Sequence, residues 1–105
     1  MGAGAIVMNS ILQSDKERCF ICKQNANGDP LDLHHVFFGS QRRKSDKYGL
    51  TVYIHHNKCH IFGKNAVHVN AEVNRRLQAY AQRRAMAKYE WSIEDFRSIF
   101  HKNYL

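Results

Sequence analysis

Residues 31–60 read LDLHHVFFGSQRRKSDKYGLTVYIHHNKCH, and the order of signals within them sets the expectation for the fold. Residues 31–38 are rich in bulky apolar side chains, alternate in part and stop at Gly39, as a short strand does. Residues 50–54 (LTVYI) repeat the signal as a return strand. Residues 40–48 between them are polar, carry Arg42, Arg43, Lys44 and Lys47, and read as a basic loop closed by Gly49. Upstream, residues 25–30 (NANGDP) place Asn-Gly beside Asp-Pro, which is turn chemistry.

Working outward, Cys19-x-x-Cys22 puts two sulfurs on one side of a tight knuckle, which suits half of a tetrahedral zinc site. His56-Asn57-Lys58-Cys59 supplies a second half at the same spacing, with His55 as an alternative to His56. A chain this small gains from a metal where apolar core is short. The competing reading makes Cys19, Cys22 and Cys59 small buried hydrophobes. Both pairs lie next to turns and beside Lys, Arg and Asn, where burial without a metal is costly, so zinc is the better account. Three cysteines cannot all pair within one chain, and a basic cytoplasmic domain keeps them reduced, so no disulfide framework is expected.

Six of the seven histidines fall between positions 34 and 68. His34 and His35, as neighbours on a strand, face opposite sides and cannot both join the zinc site. Two jobs are implied: one imidazole binds a second metal ion while the other takes a proton from water near neutral pH.

The whole chain has 105 residues, enough for one small domain, and a formal charge of +7 that makes a polyanion, nucleic acid first, the natural partner. It contains no apolar run long enough to span a membrane and no secretory pattern at its start, so a cytoplasmic protein is expected. Residues 1–8 read as a disordered leader and residues 9–105 as a single domain. Asn70 can cap a helix with Glu72 in its first turn and Val73, Leu77, Tyr80 and Ala81 as its apolar stripe. Arg75, Arg76, Arg83 and Arg84 lie mainly outside that stripe and read chiefly as a wet face. A last helix starts at Ser92 as N-cap, with Asp95 three residues on, a Trp91–Phe96 staple, and Phe96, Ile99 and Phe100 as its buried face.

A strand with His-His, a return strand, then a metal knuckle leading to further histidines is the order of a ββα-metal, or HNH, nuclease. The runs 33–39 (LHHVFFG), Arg43-Lys44, 45–49 (SDKYG), Val67-His68 and 102–105 (KNYL) resemble phage-borne HNH (His-Me finger) endonucleases of the RecA-dependent, recombination-enhancement type. The likeness covers most of residues 19–105. It implies an α+β fold with a small ββα-metal core, a structural zinc knuckle of Cys19, Cys22, His56 and Cys59, and C-terminal helices. It further implies a DNA endonuclease that leaves a 5′ phosphate, with His35 as general base, His34 as metal ligand, and His60 and His68 as candidates to complete the catalytic ion's site. Mg²⁺ or Mn²⁺ would serve turnover, and an imidazole shell also admits Zn²⁺ or Ni²⁺. Arg42, Arg43, Lys44 and Lys47 would bind the DNA backbone. A RecA-type recombinase filament would be the partner, in a bacterial host's cytoplasm. Two departures stand out. Family members often carry Cys-x-x-His-His where this chain has His56-x-x-Cys59-His60, and the middle asparagine of the HNH motif has only Asn57 and Asn65 as candidates. The rival from another class is a zinc-stabilised nucleic-acid-binding module without chemistry. A third, an interaction domain built on the C-terminal helices, ranks last.

Overall fold

A computed structural model describes residues 9–105, and the leader expected over residues 1–8 lies outside them. The described residues form a mixed α+β arrangement built on a two-stranded antiparallel sheet. Strand β1 is Leu31–His35 and strand β2 is Thr51–His55. Leu33 pairs with Tyr53 and His34 with Val52. The ladder continues past both ends, because Val36 N–H donates to the Leu50 carbonyl and His56 N–H to the Pro30 carbonyl. Its far edge is covered by the N-terminal segment: Tyr53 N–H donates to Gln13 Oε1, and Phe20 N–H to the Tyr53 carbonyl.

The basic segment between the strands departs from the expected loop. Gly39–Gln41 is a 3₁₀ turn and Arg42–Tyr48 is helix α1. Tertiary contact explains the difference. Buried Ser45 accepts from Phe37 N–H at 3.0 Å and donates to the Phe37 carbonyl at 2.6 Å, so one hydroxyl pins the helix to the end of β1. Gly49 then takes the left-handed conformation, and its N–H and that of Leu50 return to Asp46 and Ser45, ending the helix with a tight double cap.

After β2 the chain makes a π-helical turn, His56–Ile61. Helix α2, Ala71–Tyr89, is capped as expected by Asn70, which accepts from the N–H groups of Glu72 and Val73. Leu77 and Ala81 are buried from the expected stripe, whereas Tyr80 lies at its exposed edge. Gln82 is buried instead, because its amide accepts from Tyr104 N–H and donates to Asn103, tying the C-terminus to α2. Helix α3, Ile93–Phe100, carries the expected Ser92–Asp95 capping box, with Trp91 and Phe96 ring centres 6.5 Å apart. Phe96 and Phe100 pack on Phe37 at 5.6 and 4.9 Å, which docks α3 beneath the end of β1. No described helix is long and apolar enough to cross a membrane.

Gly49 is required twice over. Its φ is +73°, and a Cβ there would stand 2.7 Å from the Asn9 carbonyl oxygen. Gly49→Ala should therefore lower stability by at least about 1–2 kcal/mol, the left-handed cost alone, read as a fall in thermal midpoint. An unchanged midpoint would show that the N-terminal segment does not close on this turn.

Candidate metal centres and the imidazole cleft

Among the described residues, two groups of ligand-type side chains share no member, and a third, Asp32 with His56 and His60, overlaps the second of them. In the first, one atom from each of Cys19, Cys22, His55 and Cys59 lies within 4.8 Å of the others. The knuckle carrying the first two sulfurs is closed by Lys23, whose φ is +68° and whose N–H returns to the Cys19 carbonyl. His55 donates from Nε2 to the Asn25 carbonyl at 2.6 Å, which leaves the Nδ1 lone pair facing Cys22 Sγ at 3.3 Å and Cys59 Sγ at 3.9 Å. Ligand atoms around a tetrahedral zinc lie roughly 3.3–3.8 Å apart, so these four fit one ion.

The titration of the thiols also calls for a cation. Burial works against the Cys19 thiolate, yet the backbone N–H groups of Cys22 and His55 and the Cys59 thiol bring its pKa down to about 7. Cys59 is pushed up to about 12 by burial and by its sulfur neighbours. The two buried sulfurs, Cys19 and Cys59, cannot both ionise without positive charge between them.

The imidazole in this centre is His55, not His56. The expected x-x spacing placed His56 opposite Cys59, but β2 runs through His55 and the π-helical turn begins at once. His55 and Cys59 are four residues apart across that turn and share a face, while His56 points the other way and donates from Nδ1 to Asp32 at 2.6 Å.

The second group is His34, His60 and His68, again with one nitrogen from each inside 4.8 Å. His60 Nε2 and His68 Nε2 are 3.2 Å apart. His34 Nε2 is buried with no hydrogen-bond partner among the described residues, an orphan position that a metal ion would satisfy. Burial, reinforced by the neighbouring His60, His68 and His35, lowers the His34 pKa to about 3, so the ring stays in the neutral form that binds metal. Burial and His60 also lower His68. The residues thus fit an ion at this point. His60 turns its other nitrogen, Nδ1, toward Asp32 at 2.8 Å.

His35 leaves the strand on the opposite face and donates from Nε2 to Asp46 Oδ1 at 2.6 Å. Asp46 is on α1, where a loop is expected from the polar sequence, so no local pattern links it to His35. Both His34 and His35 nevertheless line one cleft of about 390 Å³, together with His60, His68, Phe38 and Arg42. Of the basic residues expected near a phosphate, only Arg42 lines this cleft. Arg43 and Lys47 are exposed on α1. Lys44 is turned away, donating to the Ile99 carbonyl at the end of α3 and approaching His101 at 3.2 Å. On α2, Arg75 and Arg76 pair with Glu72. Neither asparagine candidate stands by His35: Asn57 donates to Asp29, and Asn65 is exposed.

Asp32 and Asp46 have no place in the expected site, and His55 enters it only as the alternative to His56. His55 was legible from its four-residue spacing to Cys59 once a helical turn is assumed. Asp32 was legible as the strand residue on the same face as His34. Asp46 carried no local signal.

Comparison of the chain with protein-family models, curated proteins and solved structures gave no match.

The zinc assignment predicts that His55→Ala loses about one equivalent of tightly bound zinc, measured by elemental analysis, whereas His56→Ala retains it. The reverse result would restore His56 as the ligand. A second prediction concerns Asp29, which accepts from the N–H groups of Asn57 and Lys58 and so caps the turn bearing Cys59 and His60. Those N–H groups lower its pKa below the ordinary 3.8. Because the folded value is the lower one, the contribution is fully present above pH 3.8 and is lost as pH falls through the folded value. The stability gap between the parent and Asp29→Ala should therefore be flat at neutral pH and close on acidification. A gap that widens in acid would contradict this sign.

Proposed function

We propose that this chain is a metal-dependent endonuclease of the ββα-metal (HNH) class that hydrolyses DNA phosphodiester bonds. The observation that carries the reading is that His35, held by Asp46, opens on the same cleft as the nitrogens of His34, His60 and His68. With Nε2–H donated to Asp46, the Nδ1 lone pair of His35 is the site that takes a proton from water, and the Asp46 carboxylate stabilises the imidazolium so formed. When bound at His34, His60 and His68, a divalent ion would supply charge neutralisation at the scissile phosphate and at the leaving 3′ oxygen. Arg42, at the cleft wall, contributes a forked donor for a phosphate oxygen, and the exposed Arg43 and Lys47 add positive field along α1. The set of three imidazoles favours transition ions over Mg²⁺. Cys19, Cys22, His55 and Cys59 would hold a structural zinc that takes no part in the chemistry.

The discriminating measurement is cleavage of plasmid and single-stranded DNA with Mn²⁺ or Mg²⁺, comparing the parent with His35→Ala. Cleavage by the variant should fall by about 10²–10⁴ with DNA binding retained. Binding without cleavage by either protein would instead assign a zinc-stabilised nucleic-acid-binding module. Repeating the assay with a RecA-type filament and ATP decides whether a recombinase is the partner, since an unchanged rate removes that part of the proposal.

A further inference from the structure

We infer that Asp32 is a positioning residue, whose carboxylate fixes the tautomer of His60 so that His60 presents its Nε2 lone pair to a metal ion shared with His34 and His68. The inference rests on the proposed site only for the presence of that ion, not for what the site cleaves.

Asp32 and His34 are two residues apart on β1 and so project from the same face of the strand. An ionised carboxylate only accepts hydrogen bonds. With Oδ2 at 2.8 Å from His60 Nδ1 and 2.6 Å from His56 Nδ1, both rings must therefore donate from Nδ1. In a neutral ring, Nε2 then carries the lone pair. For His60 that atom is the one 3.2 Å from His68 Nε2, beside the orphan Nε2 of His34. Without Asp32 the ring could place its proton on either nitrogen and turn about its axis, and either change removes the lone pair from the cluster.

Asp32, His56 and His60 also have ligand atoms within 4.8 Å of one another, which raises a cation site of their own. The separations oppose it. Contacts of 2.6 and 2.8 Å are hydrogen-bond lengths, shorter than the roughly 3.3 Å between ligands on a tetrahedral ion. A separate ion would also force His60 to bridge two metals.

The test uses the full chain loaded with structural zinc and titrated with Co²⁺, comparing the parent with Asp32→Asn, Asp32→Ala and Asp32→Glu, and with His68→Ala to identify the cluster's ion. The His60 tautomer is read from long-range ¹H–¹⁵N couplings of the imidazole, and retained zinc reports that each variant is folded. We expect Asp32→Asn and Asp32→Ala to weaken His68-dependent Co²⁺ binding by about 10–100-fold. The His60 tautomer should lose its Nδ1–H preference in both, and Asp32→Glu should recover part of each effect. Unchanged affinity and an unchanged tautomer would overturn the inference while leaving the metal site standing. So would loss of one whole equivalent of Co²⁺ with His68-dependent binding intact, which would make Asp32 a ligand. If the parent binds no Co²⁺ in a His68-dependent manner, the ligand role of His60 falls together with the catalytic-ion reading, whatever the DNA assay gives.

Discussion

Three sulfurs and the Nδ1 of His55 converge from three parts of the chain that have few other reasons to meet: the knuckle at residues 19–22, the end of β2, and the turn that follows it. Among the described residues the sheet has two strands, and a two-stranded ribbon is marginal in water without something packed on it. Part of that packing comes from α3, through the aromatic cluster around Phe37. At the opposite end of the strand pair, the thiol and imidazole cluster does the equivalent work. Zinc there would convert mutually repelling thiolates into a cross-link, and the binding free energy of such a centre is folding free energy.

The same short turn serves two centres. His55 and Cys59 face the knuckle, while His56 and His60 face Asp32 and His60 also lines the imidazole cleft. A shift of this turn by a fraction of an ångström would move both sites at once. Asp29 anchors its first N–H groups, and Val67 and His68 are tied to it through N–H donation to the Cys59 and His60 carbonyls. The imidazole cluster is thus held by backbone hydrogen bonds as well as by its own side chains. That rigidity is what a site needs if three neutral nitrogens are to stay within reach of one ion.

Helix α1 links the sheet to the proposed chemistry. Its buried Ser45 fixes it to Phe37, Asp46 on the next position reaches His35, and Arg42 at its start lines the cleft. Lys44 points to the opposite side and caps the end of α3, so a residue that belongs to the basic run by composition belongs to the scaffold by contact. The charge run is thereby divided into one cleft residue, two exposed ones and one structural one.

Much of the local structure was readable in the chain itself. The Asn70 cap, the Ser92–Asp95 box, the two strands to within a few residues and the separation of Cys ligands from His34 follow from nearest-neighbour chemistry: caps need particular acceptors, and adjacent strand residues point apart. Pairing over distance was decided by the tertiary structure. Whether His55 or His56 meets the sulfurs depends on where β2 stops and the helical turn begins, a one-residue choice that reverses which side each ring takes. Asp46 reaches His35 only because Ser45 folds a polar, basic stretch into a helix against β1, and burial of one hydroxyl is not written in the hydropathy of its neighbours. Sequence fixes what each residue can donate, accept or ligate; the packing of α1 and of the turn after β2 determines which partner it finds.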